Sequence, residues 1–471
     1  MIMKSKKVKG SITVFALIVL TAYVVFVSSL LDLYRYTSAG AVFRSAVTTS
    51  VKSLRQTSDT YALSRYGFGF CSLDDNGIKT KAAAFANDII AKSCTDVKPV
   101  SIDVQTQHLV DSSNVDISAL EDRIINICSE TVSKSELDSV ADTLDAFDST
   151  KDTLNSRFQK VRGALENVDT TALKNTSSFD FIRKCIEPDD TDIASEQLYY
   201  CRTSSCSSAV WSAQDWAYQQ PKTNSRTLLE SCKNGLEYMY ECVCSSEWFR
   251  SRETVFSHGA QGFENGLYSS AGYLDKYFQT QLNDQGSDKK AAEYEYVLFG
   301  HRSNYDNKLY AAQRIFEIRL AYNLCSLTDD FGKSAQEDNK AALKAVNEAK
   351  LETAMILAGK SVKLIKSKSE FKTSDDTADS EILSLAQSTQ TADGGVDYQA
   401  HLRYLLLHSI SFEMMYARIA DVVGFGIGKP LCRAVTDIKV TVRSKYNITN
   451  VSLAGMIMKG KTSTAQAEIS F

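Results

Sequence analysis

The chain has 471 residues, 44% hydrophobic and 23% charged, with a formal net charge of −4. That length allows two or three domains around a sizeable core, and the composition is ordinary for a globular protein. Mild acidity and scattered lysines and arginines exclude a nucleic-acid-binding surface as the main purpose, while four prolines and 22 glycines exclude collagen-like or linker-dominated architectures.

Residues 1–10 form a basic segment carrying Lys4, Lys6, Lys7 and Lys9. Residues 11–31 come next without a charge. As a helix they span about 30 Å, the thickness of a bilayer's hydrocarbon core. A signal peptide has a shorter apolar region that ends at a small-residue cleavage site. The nearest such sequence, Ala39-Gly40-Ala41, lies beyond Asp32 and Arg35, so a retained transmembrane helix is expected. Positive charge beside a span stays in the cytoplasm, which predicts a single-pass cell-membrane protein with its N-terminus inside and its bulk outside. Tyr34 and Tyr36 then fall at the outer headgroup layer. Leu33, Tyr36, Phe43, Val47, Val51 and Leu54 recur at helical spacing, and the first strong break is at Gly67 and Gly69. The spacing predicts a stalk helix over 32–66 continuing the span; a membrane helix followed by a separate packed helix is the alternative.

The opening Lys9-Gly10-Ser11-Ile12-Thr13-Val14-Phe15 resembles the start of TadE/TadG-like proteins, pseudopilin-type and accessory components of the Tad (Flp) pilus machinery. A second block, Glu295-Tyr296-Val297-Leu298-Phe299-Gly300, is followed by Asn304, Asn307, Lys308, Leu309, Arg314, Arg319 and Asn323. It resembles an uncharacterised family of Gram-positive, Tad-associated membrane-anchored proteins with a K-G-S-I-T-V-F start and a distant E-Y-(I/V)-L-(F/Y)-G segment. The resemblance implies a place in the lipid bilayer and other Tad or pilus subunits as partners, met through the N-terminal helix and the helical body. In processed members a peptidase cuts after the glycine, which makes Gly10 and Ser11 the candidate processing site. Phe15 stands where pilin-type signals carry glutamate.

Residues 67–179 read as a strand plus a helical-hairpin region. Val100, Ile102 and Val104 alternate with Ser101, Asp103 and Gln105, a half-exposed strand. Leu137, Val140, Leu144, Phe147, Leu154, Phe158, Val161 and Leu165 keep a 3,4 spacing interrupted by Lys151. An intramolecular hairpin is the favoured outcome and an intermolecular coiled coil the alternative. Residues 180–265 are a cysteine- and aromatic-rich insertion with Cys185, Cys201, Cys206, Cys232, Cys242 and Cys244. Outside the membrane these six are candidate disulfide cysteines. Reduced core cysteines and a metal site are the rivals, the latter disfavoured because C-x4-C and C-x-C depart from zinc-knuckle spacing.

Residues 266–430 read as a helical body, with the polar stretch 367–397 a surface loop and 398–424 one helix. Glu295, Arg314, Arg319 and Asn323 are expected to join a buried polar network that holds the fold. Residues 431–471 turn to strands and, with the strand near 98–110, are expected to form a small antiparallel sheet. The fold class expected is mainly α with a small antiparallel β portion, an α+β chain.

Gly455 to Thr462 matches the phosphate-loop pattern G-x4-G-K-[ST], yet the residues after Thr462 read as a strand and not as the helix that pattern requires. The five histidines are scattered, and no hydrolase, zinc-helix or Cys/His signature occurs. No catalytic, cofactor-binding or metal residue is therefore assigned, and no enzyme is expected. The expected function is a structural or accessory component of a Tad-type pilus or secretion apparatus; a stand-alone anchored surface binding protein or adhesin is the alternative.

Overall fold

The computed structural model describes residues 9–94, 96–109, 118–186, 226–244, 267–282, 291–301, 303–409, 412–429, 431–448 and 461–471. The protein is mostly helical with one three-stranded antiparallel sheet, and it divides into two compact units. Unit 1 comprises Met1–Ser64, Phe68–Leu109 and Arg433–Phe471; unit 2 comprises Arg65–Gly67 and Val110–Cys432.

Unit 1 is built on α1 (Lys9–Ser53). Its first part is long and apolar enough to cross a membrane, and its side chains are bare: Ile12 is 65% and Phe26 61% exposed. Beyond Asp32 the same helix becomes one-sided. Tyr36, Phe43, Ala46, Val47 and Val51 are buried at helical spacing, whereas Leu33 stays exposed. The buried stripe packs on α3 (Asp75–Ser93) and on the sheet of β1 (Val97–His108), β2 (Val435–Tyr446) and β3 (Thr462–Ser470). α3 starts where Asp74 accepts the Gly77 N–H at 2.8 Å, and it buries Ile78, Ala82, Ala86 and Ile90. The strand order is β1-β2-β3, all antiparallel. Val440 faces Val104 and Ala467, and Val442 faces Ile102 and Ala465. Period-2 alternation therefore carries one apolar face across three strands far apart in the chain, as expected from the sequence.

The stalk is shorter than the spacing predicts, and it is packed on the rest of unit 1. α1 ends at Ser53, a 3-10 turn runs Leu54–Thr57, and α2 (Thr60–Tyr66) starts anew. The break has a local cause: Asp59 accepts the N–H groups of Tyr61 and Ala62, each at 3.0 Å, and its own N–H bonds Phe70 O at 2.7 Å. Glycine-free segments can thus end a helix when a side chain caps the next one.

Unit 2 enters the chain between the paired strands β1 and β2. It contains α4 (Ser118–Thr131), α5 (Lys134–Asp148), α6 (Lys151–Glu166), α7 (Thr171–Asn175), α8 (Ser178–Cys185), α9 (Leu228–Met239), α10 (Leu267–Tyr277), α11 (Glu293–Phe299), α12 (Asn304–Ser326), α13 (Ala335–Leu357), α14 (Asp379–Ser388), α15 (Tyr398–Ser409) and α16 (Phe412–Ile427). The long 137–165 seam is two helices, broken at Ser149 and Thr150, with Lys151 opening the second. Its apolar residues are buried inside the unit: Phe147 lies 4.0 Å from the Tyr404 ring and Phe158 4.0 Å from the Tyr240 ring. α12 and α13 are buried along most of their length and form the unit's centre. α9 crosses α12 at Gly235, where any Cβ would collide with the Glu317 carbonyl.

The polar 367–397 stretch is no plain loop. It holds α14, and Lys360 Nζ donates to the carbonyls of Ala386, Gln387 and Thr389 at 2.7–2.8 Å, satisfying that helix's C-terminal end. The expected single helix over 398–424 is α15 followed by α16.

Candidate functional site

α11 carries Glu293, Tyr294, Glu295 and Tyr296 in succession and buries all four. Buried carboxylates need donors. The segment after α10 supplies them from its backbone: Gln279 N–H donates to Glu293 Oε2 at 2.8 Å and Gln281 N–H to Glu295 Oε1 at 2.9 Å. Arg65 pairs with Glu293, and the Tyr398 hydroxyl donates to Glu295 Oε1 at 2.7 Å. Burial pushes the Glu295 carboxyl up to about 7, against the pull of the Gln281 and Tyr398 hydrogen bonds. Among the described residues its Oε2 has no hydrogen-bond partner. Burial raises Glu293 as well, with Arg65 opposing. The Tyr296 hydroxyl donates to Asp421 at 2.5 Å. Arg418 closes the end of α11 by donating to Val297 O and Leu298 O at 2.9 and 2.6 Å, beside Gly300 in the left-handed region at φ 68°.

A second polar cluster joins α12 to α13. Arg319 Nε donates to Glu352 Oε2 at 2.9 Å, and Asn323 donates to the same oxygen at 2.8 Å. Lys366 bridges Glu352 at 2.7 Å and Glu348 at 2.8 Å. Glu348 Oε2 also accepts from the Lys372 and Thr373 N–H groups and the Thr373 hydroxyl, at 2.9–3.1 Å. Two cations thus meet two carboxylates, and the arrangement ties the 363–373 segment onto α13. Burial works to raise Glu352, but Arg319 and Lys366 overcome it and hold the carboxyl below its ordinary value. A third cluster is separate: Glu317 accepts from Arg226 at 2.7 Å, Arg314 at 2.8 Å and Gln313 at 3.1 Å.

The expected single network of Glu295, Arg314, Arg319 and Asn323 is therefore three. Only Arg319 and Asn323 share a partner. Their shared partner Glu352, and Lys366 and Glu348 that join it, lie in the alanine- and lysine-rich stretch 335–366, whose composition announces a helix but not the burial of its charges.

A cavity of about 550 Å³ opens beside α10 and α15. Its wall includes Asp275, Arg403, Tyr398, Lys276 and Glu136. Arg403 Nε donates to Asp275 at 2.6 Å, its Nη1 to Ser139 Oγ at 2.9 Å, and Gln399 bonds the same aspartate. Burial lifts Asp275 to about 6, although Arg403 pulls the other way. In that wall Arg403 and Asp275 are matched to each other, whereas Lys276 donates to the Thr131 carbonyl and Glu136 accepts from the Ser133 N–H. His401 is fully buried and held at about 4 by burial, its Nδ1 against Asp397 O at 2.6 Å, so its ring is neutral near pH 7.

Of the candidate disulfide cysteines, Cys185 ends α8 and Cys232 lies within α9, and both are free thiols. The disulfide expectation is corrected at these two positions. Cys185 Sγ bonds Phe181 O one turn back at 3.6 Å, and Cys232 has no exposed surface. Burial pushes each thiol up to about 12, so each is a poor nucleophile, Cys232 in the core and Cys185 half-buried at the end of its helix. Cys242 is buried in the turn after α9, where Cys244 also lies; Cys201 and Cys206 fall outside the described residues. Gly10 and Ser11 lie in the first turn of α1. Most of the phosphate-loop match, 455–460, falls outside the described residues, while Thr462 opens a strand. Among the described residues no group of three His, Cys, Asp or Glu side chains is placed to hold a metal.

Residues 243–346 and 342–429 match a protein family described as a family of unknown function (DUF5702). The chain is similar to that family over α10 to α16, a region that includes the Glu295–Gly300 block and the α12–α13 cluster, and unit 1 lies outside the match. No curated protein and no solved structure matches the chain.

Proposed function

We propose that the protein is a membrane-anchored structural subunit, a minor pseudopilin-like component of a Tad-type pilus or secretion apparatus, with its N-terminus cytoplasmic and its two units outside. One observation carries this reading. A single helix is bare and apolar for its first half and forms the packed spine of a folded unit for its second. Span and fold are then one rod, so side-by-side packing of such spans positions unit 1 without a flexible joint. The lysines before the span support the orientation, and the K-G-S-I-T-V-F start supports the system. The charges that join α12 to α13 in unit 2 bind one another, which supports a fold-holding role for them.

The test is photo-crosslinking in intact cells from a benzophenone side chain at Leu17 or Val24. Covalent adducts with other pilus-system subunits are the expected result. Protease added outside should remove both units. Adducts with lipid alone favour a second reading, a stand-alone anchored surface binding protein, for which the 550 Å³ cavity is the supporting observation. Protection of both units from external protease would overturn either reading.

A further inference from the structure

In unit 1, α1 and β2 run in opposite directions. The far end of α1 meets the start of β2: Thr57 bonds Cys71 at 3.1 Å, and Cys71 N–H bonds Val435 O at 2.9 Å. The other end of β2 returns toward the span, where Tyr446 packs edge-on to Tyr36 at 5.1 Å and reaches over Gly40. Tyr36 is five residues past Leu31, about 7.5 Å along the helix axis. The headgroup layer is about 5–8 Å thick on each side of the hydrocarbon core. The Tyr446 end of the sheet therefore stands at the outer edge of that layer whenever the apolar run lies in a bilayer.

That end is basic. Lys98 and Lys445 are Cα partners on one face of β1 and β2, and both are exposed. Like charges directly opposite one another destabilise a strand pair unless something neutralises them. Lys461 is also exposed, and its carbonyl accepts the Tyr446 N–H at 3.2 Å. Among the described residues the ion pairs of this unit lie elsewhere, at Lys92–Asp88 and His108–Asp75. Asp96 and the buried Asp32 on α1 are the neighbouring acids, and Arg35 on α1 adds a further positive charge.

We infer that Lys98, Lys445 and Lys461 form a collar that binds the phosphates of anionic lipid headgroups and seats the end of the sheet on the membrane surface. The inference rests on α1 being a membrane anchor. Lysine suits this position because its alkyl stem can lie along the exposed face of the sheet while its ammonium group reaches down to phosphate. The collar resists tilting of the rod about its span and removes the repulsion of the Lys98–Lys445 pair.

The test uses the full chain reconstituted into nanodiscs of phosphatidylcholine with phosphatidylglycerol. Lipids retained by the protein are counted by native mass spectrometry. Wild type should retain phosphatidylglycerol preferentially, and the preference should fall at about 0.5 M sodium chloride, where surface charges are screened. The triple variant Lys98→Glu, Lys445→Glu, Lys461→Glu should lose at least about fivefold of that preference, the equivalent of a single lysine's contact with an anionic surface. The corresponding triple arginine variant should keep it. The lysines before the span act equally in all three proteins, so differences between them report the collar. Unchanged preference in the glutamate variant, or a salt-insensitive preference in wild type, overturns the collar. Loss of the preference to millimolar inorganic phosphate alone overturns the lipid as its ligand. Carbonate extraction distinguishes the two readings: if it frees wild type from vesicles, the anchor has failed and the collar falls with it; if wild type stays embedded, any failure belongs to the collar.

Discussion

Arg319 and Glu352 meet at 2.9 Å with neither side chain exposed to solvent. Lys366 and Asn323 lean on the same carboxylate. Replacing Glu352 by glutamine leaves two buried cations short of a partner. We expect Glu352→Gln to cost about 3–5 kcal/mol, because breaking a buried pair strands a charge. Thermal unfolding of the full chain in nonionic detergent checks this. A loss under about 1 kcal/mol would mean that water reaches the cluster.

Glu295 gives unit 2 a pH dependence with a defined sign. Its folded value, about 7, lies above its ordinary 4.5. The folded state therefore binds the proton more tightly, and the resulting stability is complete below pH 4.5 and lost as pH rises through 7. The shift corresponds to an effect on the order of 3 kcal/mol. Glu295→Gln keeps an acceptor for Gln281 and Tyr398 without the ionisation. Its melting temperature should match wild type near pH 5 and exceed it near pH 8. Parallel curves for the two proteins across that range would refute the assignment.

Gly300 takes a φ of 68°, and a Cβ there would press into the Arg418 guanidinium. Gly300→Ala should cost about 1–3 kcal/mol, from left-handed backbone strain together with displacement of the arginine. Arg418→Lys alone should cost less, since lysine can still donate to one of the two α11 carbonyls. Comparing the two unfolding midpoints decides the order.

Cys185 and Cys232 should resist alkylation in the folded protein. With thiols held near 12, maleimide at pH 7.5 should label neither until denaturant is added. Peptide mapping reads the outcome, and rapid native labelling of either residue would show that its helix opens.

Lysine at both Val19 and Val24 should move the protein out of the membrane fraction, since each charge at mid-span costs roughly 3 kcal/mol. Unchanged sedimentation with membranes would mean that something other than α1 holds the protein there.

Periodicity made much of the fold legible. The Val100–Val104 and Ile438–Val442 alternations marked strands, and the stripe from Tyr36 to Leu54 marked the packed side of α1. What periodicity could not supply was punctuation by side chains. Asp59 and Ser133 cap new helices by accepting N–H groups, and nothing in the apolar spacing announces them. The interior of unit 2 was harder still. Glu348, Glu352 and Lys366 sit among alanines and lysines, a composition typical of exposed helices, and only the three-dimensional pairing makes them core residues. The cysteines misled in the opposite direction: their number suggested covalent staples, while Cys185 and Cys232 act as small apolar side chains.

The sheet has a further bearing on how the protein is made. β1 is synthesised early, whereas β2 and β3 emerge only after the whole of unit 2 has been translated. Until then α1 has α3 and β1 beside it but lacks β2 and β3, so part of the stripe of Phe43, Val47 and Val51 waits for its cover. A ribosome that stalls within unit 2 would therefore leave a tethered intermediate with a sticky spine, and cellular quality control would be expected to recognise it at the membrane.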